Sequence, residues 1–168
     1  MSGHKTVKKV FWVWDFEKEE RWLNTMAQSG WVLEKVGFCI YHFAACTPGE
    51  YTVRLEMRNH DDAYISFMQE TGAEYIGRMA QWIYFRKKAA DGEFDIFSDV
   101  DSKIGHLDKI GKMLGGIGCI NLALGLINSF HPAHVGWINL LAATLLMYAL
   151  GRIQGKKEAL EEKRLLME

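Results

Sequence analysis

The sequence predicts an α+β protein. A duplicated strand–helix–strand–strand unit forms an antiparallel sheet with two helices on one face, and an α-helical transmembrane hairpin follows. Three observations carry this. Between Lys112 and Arg152 stand 39 residues without Asp, Glu, Lys or Arg. Upstream, short β-branched and aromatic runs alternate with two amphipathic stretches. Sliding Ser29-Gly30 onto Thr71-Gly72, an offset of 42 residues, lays Trp22 on Tyr64, Leu23 on Ile65 and Met26 on Met68. The same offset lays Tyr41-His42-Phe43 on Ile83-Tyr84-Phe85.

The elements follow in order. Lys9–Trp14 (KVFWVW) reads as a strand. Asp15 is placed to cap a helix, with Glu17, Glu19 and Glu20 in a first turn where the helix dipole favours negative charge. Trp22, Leu23, Met26 and Ala27 form its apolar stripe, and Gly30 ends it. Strands are expected at Trp31–Val36 and Phe38–Ala45, with a turn at Thr47-Pro48-Gly49. The pattern then restarts: a strand at Tyr51–Met57, a cap at Asn59 or Asp61, and a helix with Tyr64, Ile65, Phe67 and Met68 as its stripe. Gly72 is its stop, and strands are expected at Ala73–Arg78 and Gln81–Arg86. Glu93–Phe97 reads as a short strand. Ser98 with Asp101 reads as a capping box opening an amphipathic helix along Val100, Ile104, Leu107 and Ile110.

The expected domains are an α+β domain over 1–97, with repeats at about 9–46 and 50–88, and an amphipathic juxtamembrane helix over 98–112. A two-helix transmembrane hairpin over 113–151 and a charged tail over 152–168 complete the chain. Met113–Phe130 would span roughly 27 Å at 1.5 Å per residue, close to a hydrocarbon core of about 30 Å. Val135–Leu150 is the second span, and Pro132 breaks the helix between them. Lys103, Lys109 and Lys112 precede the hairpin, and Arg152, Lys156, Lys157, Lys163 and Arg164 follow it. The positive-inside rule therefore places both termini in the cytoplasm. Gly111, Gly115, Cys119 and Ala123 recur every four residues, a small-residue stripe suited to a second helix or to homo-oligomers. Asn121, Asn128, Asn139 and Thr144 are read as interhelical hydrogen-bonding groups rather than a conduction path.

Composition narrows function. The 168 residues are 49% apolar and 24% charged, with a net charge of −1, so no global basic field argues for nucleic acid. Cys39, Cys46 and Cys119 form no CxxC pair; Cys39 and Cys119 read as small buried hydrophobes. MSGHKTVKKV carries charge with no apolar run after it, so no secretory signal is expected. Gly115-Gly116-Ile117-Gly118 lies inside the first span and packs helices rather than phosphate. His131 and His134 lack a carboxylate and read as an interfacial turn rather than a metal pair. Glu17, Glu19 and Glu20 read as dipole partners rather than an acid/base pair. No catalytic residue, metal or cofactor is expected.

Strand alternation suggests one binding face. In Tyr51–Met57, Val53, Leu55 and Met57 alternate with Arg54 and Glu56, so the charged side should turn away from the helices. The offset adds Trp12 and Trp14 to that side, with Ile40, His42, Trp82 and Tyr84. A face holding Trp12, Trp14, His42, Arg54, Glu56, Trp82 and Tyr84 needs cover: a small ligand, a second protomer or the membrane-proximal segment.

The run WDFEKEERWLNTMAQSGWVLEKVGFCIYHF, the turn TPGEYTVRLEM, the segment ETGAEYIGRMAQWIYFRKK and the exit DGEFDIFSDVDSKIGH together resemble the bacterial family known as domain of unknown function 2812. The specific marks are Trp22-Leu23-Asn24, Gly30-Trp31, Pro48-Gly49-Glu50-Tyr51, and Ser98-Asp99 with Ser102-Lys103. The resemblance covers about residues 8–108. It implies a membrane-anchored bacterial protein, often encoded beside a PadR-type regulator, and no catalytic residues. The doubled unit is also similar in fold to GyrI-like effector-binding domains, which hold small molecules in a central cleft. The expected function is a regulatory or sensory module in the bacterial cytoplasmic membrane, its cytoplasmic domain binding a partner protein or small ligand. The alternative is a GyrI-like small-molecule binder with the hairpin as a simple anchor.

Overall fold

A computed structural model describes residues 3–97, 99–130 and 135–166. His131, Pro132, His134 and Ser98 lie outside the described residues, so the expected His pair and the cap at Ser98 find no structural account. The chain divides into two compact units, Met1–Ile96 and Phe97–Glu168.

The first unit is α+β and duplicated. It holds β1 (His4–Lys8), α1 (Phe16–Gln28), β2 (Trp31–Gly37) and β3 (Ile40–Ala45). The second copy is β4 (Tyr51–Met57), α2 (Asp62–Glu70), β5 (Glu74–Met79) and β6 (Trp82–Lys88). The sheet is divided into two antiparallel three-stranded halves, ordered β1-β3-β2 and β4-β6-β5.

The repeat extends to backbone detail. The N–H of Gly30 donates to the carbonyl of Ala27, and that of Gly72 to Gln69, the same bond 42 residues on. Both glycines have left-handed backbone, with φ of 83° and 86°. A bulge between Leu33 and Lys35 in β2 recurs between Tyr75 and Gly77 in β5. Trp22 of α1 meets Phe43 edge-on at 5.6 Å, and its counterpart Tyr64 of α2 meets Phe85 edge-on at 6.2 Å. Each helix thus covers the equivalent face of its own half-sheet.

A left-handed φ costs an L side chain roughly 1–2 kcal/mol. Gly30→Ala should cost more than Gly72→Ala in thermal unfolding. The added Cβ at residue 30 would lie 3.2 Å from the backbone oxygen of Cys46, whereas at residue 72 it would meet only the flexible Lys87 chain at 3.6 Å.

The first strand corrects the sequence reading. β1 is His4–Lys8, not Lys9–Trp14. Its register places Lys5 beside Phe43 and Val7 beside Tyr41, as Arg54 stands beside Phe85 and Glu56 beside Ile83. Lys5 and Val7 are therefore the counterparts of Arg54 and Glu56, and Lys9–Asp15 is an addition with no equivalent in the second copy. An edge strand needs backbone partners but little apolar surface, so the charged His4–Lys8 serves. The aromatic segment is used for packing instead: Phe11 contacts Trp22 at 5.5 Å and Tyr41 at 6.3 Å.

Other local readings shift slightly. Asp61 is the cap of α2, its carboxylate accepting from the N–H groups of Ala63 and Tyr64. Glu93–Phe97 forms no strand; Phe94 instead enters the core with Ile65, Met68, Ala73, Ile83 and Phe85.

In the second unit, α3 (Val100–Ser129) and α4 (Gly136–Leu165) pack as an antiparallel hairpin. The capping box of α3 is Asp99 with Ser102, one residue along from the predicted pair. The buried α3 residues Leu107, Ile110, Leu114, Gly118 and Gly125 follow one another at spacings of three, four, four and seven, the pattern of a left-handed helix pair. Gly111 and Gly115 approach Leu150 of α4, while Cys119 and Ala123 are exposed. Neither Cys39, half-buried, nor Cys119 is the buried hydrophobe expected. The Asn139 amide donates to the Asn121 side chain across the pair at 3.3 Å. Thr144 donates within its own helix to Leu140.

Candidate functional site

The residues expected on one aromatic face occupy four separate places. Trp12 and Trp14 lie in the added segment, stacked with ring centroids 5.1 Å apart and planes 7° from parallel. His42 is on β3, its Nδ1 3.0 Å from the Thr6 hydroxyl.

Arg54 and Glu56 share the face of Phe85 and Ile83, which α2 covers, so the expected orientation of β4 is reversed. Both sides of this half-sheet are buried, and the charges are met by partners rather than water. Glu56 accepts from Arg58 Nε at 3.2 Å and from the Tyr64 hydroxyl at 2.8 Å. The Arg58 guanidinium lies over the Tyr64 ring at 3.8 Å. Arg54 stands 3.4 Å from Glu20 rather than pairing with Glu56.

Trp82 and Tyr84 lie on the other side of that half-sheet with Met57 and Leu55. That side is core: Tyr84 is 1% exposed and Trp82 packs against Phe16 at 5.3 Å.

What the sequence reading missed is Glu19. It lies on the buried stripe Phe16, Glu19, Leu23, Ala27 of α1 and is 7% exposed. The hydroxyls of Tyr41 and Tyr84 both donate to its Oε1, at 2.8 and 2.7 Å. Burial pushes the Glu19 carboxyl above its ordinary range, against the two hydroxyls that pull it down. Burial and the Glu19 charge push both tyrosines well up. Beside it, Glu20 accepts the Leu55 N–H, and burial raises it too, with Arg54 opposing. The signal was present: Glu19 falls four residues before Leu23, on the stripe itself.

Asn24 joins α1 to β4. Its amide donates to the Val53 carbonyl and its oxygen accepts the Val53 N–H, both at 2.9 Å. The side chain thereby satisfies a strand edge as a neighbouring strand would. Trp22-Leu23-Asn24 is thus an aromatic plug, a core leucine with no exposure, and an edge clamp.

The open face of the first half-sheet forms a groove of about 670 Å³. His4, Lys5, Thr6, Glu34, Lys35 and His42 supply its polar lining. His4 lies 3.2 Å from Glu34, and Lys35, opposite His42, is the cation of the open face, whereas Lys5 stands beside Phe43 with its Nζ 5.6 Å from the Trp31 ring. Among the described residues no group of three His, Cys, Asp or Glu side chains is placed to hold a metal. A family model described as a protein of unknown function (DUF2812) matches residues 15–119, from the cap of α1 into α3. No match to the chain was found among curated proteins or among solved structures.

Proposed function

The chain belongs to the DUF2812 family of proteins of unknown function, and from its own residues we propose a membrane-anchored regulatory or sensory module that binds a small polar ligand. The observation that carries this is the surface of the hairpin. Both helices are 30 residues long, and only 22% of the apolar window in each is buried. Ile120, Ile127, Phe130, Trp137, Ile138 and Leu141 face outward. A core helix of a soluble protein buries such a surface, and a bilayer covers it here.

The charged ends support one orientation. Lys157 bonds Asp108 at 2.6 Å and Arg164 bonds Asp101 at 2.8 Å, so the ionic ends of α3 and α4 lie together. Lys157 and Lys112 hold the Asp108 carboxyl below its ordinary value. In this reading that end is cytoplasmic.

The groove of the first unit favours a small anionic ligand over a protein, because it gathers Lys35 and two histidines on one face. The test uses the full chain. It should stay in the pellet through alkaline washing and leave the membrane only with detergent. In detergent, phosphate, dicarboxylates and nucleotides are titrated against thermal unfolding. A ligand at about 100 times its Kd adds about 2.7 kcal/mol of stability, and Lys35→Ala with His42→Ala should remove that shift. A detergent-free soluble monomer refutes the anchor. A flat response to every anion, with α1 and the sheets intact, refutes the binding role.

A further inference from the structure

The groove and the hairpin leave one feature unused: a solvent-facing apolar tip on the first unit. The Lys9 N–H donates to the Cys39 carbonyl at 3.0 Å, which fixes the start of the added segment against the β2–β3 turn. This sets Val10, 64% exposed, near Phe38, 82% exposed, with Trp12, 58% exposed, two residues further on. Trp12 is stacked flat against Trp14, so its ring is held by a second ring of the same segment. The exposed Lys8 and Lys9 lead into it, the Lys9 ammonium also lying 4.5 Å from the Trp22 ring, and the exposed Lys35 stands two residues before the end of β2. Two acids of the neighbouring segments are matched elsewhere: Asp15 with Lys18 at 2.7 Å and Glu34 with His4 at 3.2 Å.

We infer that this tip is a lipid-contact site: Val10, Trp12 and Phe38 enter the interfacial layer of an anionic bilayer while Lys8, Lys9 and Lys35 meet its phosphates. The inference rests on the membrane reading of the hairpin and adds to it a second, reversible contact by the α+β unit. Its chemistry is that of interfacial anchors. Tryptophan prefers the headgroup layer, and apolar side chains ringed by lysine bind best where the surface is negative. A groove for a soluble anion lacks such outward rings. A protein partner would ordinarily find acids as well as lysines at the rim.

The experiment is amide hydrogen exchange of the full chain in nanodiscs of phosphatidylcholine alone and with one part in three phosphatidylglycerol. Peptides over 8–14 and 36–40 should exchange at least about fivefold more slowly in the anionic discs. Trp12→Ser with Phe38→Ser, and separately Lys8→Glu with Lys9→Glu, should abolish the difference while β3 and β6 keep their protection. Equal exchange in both lipids and in micelles, with α3 and α4 protected, overturns the inference and leaves the hairpin reading standing. Slowing that follows protein concentration in micelles overturns it in favour of a second copy. Unprotected α3 and α4 in the discs overturn the hairpin reading itself, and this is read from separate peptides.

Discussion

Replacing Glu19 by alanine should be among the most damaging single changes in the α+β unit. The carboxylate is the shared acceptor of the Tyr41 and Tyr84 hydroxyls, and Tyr84 is 1% exposed. A buried donor left without an acceptor costs about 1–3 kcal/mol, so two orphaned hydroxyls imply about 2–6 kcal/mol in chemical unfolding. Adding Tyr41→Phe and Tyr84→Phe to Glu19→Ala should recover part of that loss, because it removes the orphaned groups. If the triple variant is no more stable than Glu19→Ala alone, the hydroxyls are not what the alanine orphaned.

The same residue sets a pH dependence. Burial raises the folded Glu19 carboxyl above its ordinary value near 4.5, so the folded state holds its proton more tightly than the unfolded chain. The stability this confers is fully present below 4.5 and is lost as pH rises through the raised folded value. Glu20 is raised as well and acts in the same direction. Wild type should therefore lose stability relative to Glu19→Gln as pH climbs from 4.5, with a residual slope left by Glu20. A constant difference between the two proteins from pH 4 to 8 would contradict the assignment.

The second large effect should come from the helix pair. A Cβ built on Gly125 would sit 2.7 Å from Leu140 Cδ2 and 3.1 Å from the Leu140 backbone nitrogen. A backbone atom cannot swing aside as a side-chain tip can, so a bulky residue must part the helices. Gly125→Leu should cost at least about 1–3 kcal/mol of hairpin stability and break the Asn121–Asn139 bond. Gly116→Ala is the control, since its Cβ would meet nothing within 4 Å, and it should change stability by less than about 0.5 kcal/mol. Thermal loss of helicity in detergent, with cross-linking between α3 and α4, reads both. Equal behaviour of the two variants would mean that Gly125 is not at a close crossing.

The small-residue stripe shows why such positions are hard to choose from sequence. Spacing by four selects Gly111, Gly115, Cys119 and Ala123, but the crossing of two helices drifts along the surface. The contact passes from Gly111 and Gly115 to Gly118 and Gly125 and leaves Cys119 and Ala123 exposed. The aromatic face failed for a related reason. KVFWVW has the stronger strand composition, yet the ladder forms with His4–Lys8, because pairing to β3 depends on register and not on the apolar content of an edge.

By itself the sequence determined the α+β class, the doubled unit with its offset, the glycine stops, the two long apolar helices and the DUF2812 resemblance. These rest on local propensity and periodicity, which neighbouring residues carry in full. Only the tertiary structure decided which side of β4 faces α2, that Arg54 and Glu56 take separate partners, that Glu19 is a buried hub, and that Trp12 is exposed. Each depends on what is packed against an element from elsewhere in the chain. Burial on both sides of the second half-sheet turns charged alternation inward, and an addition present in one repeat alone shifts the register of everything before it.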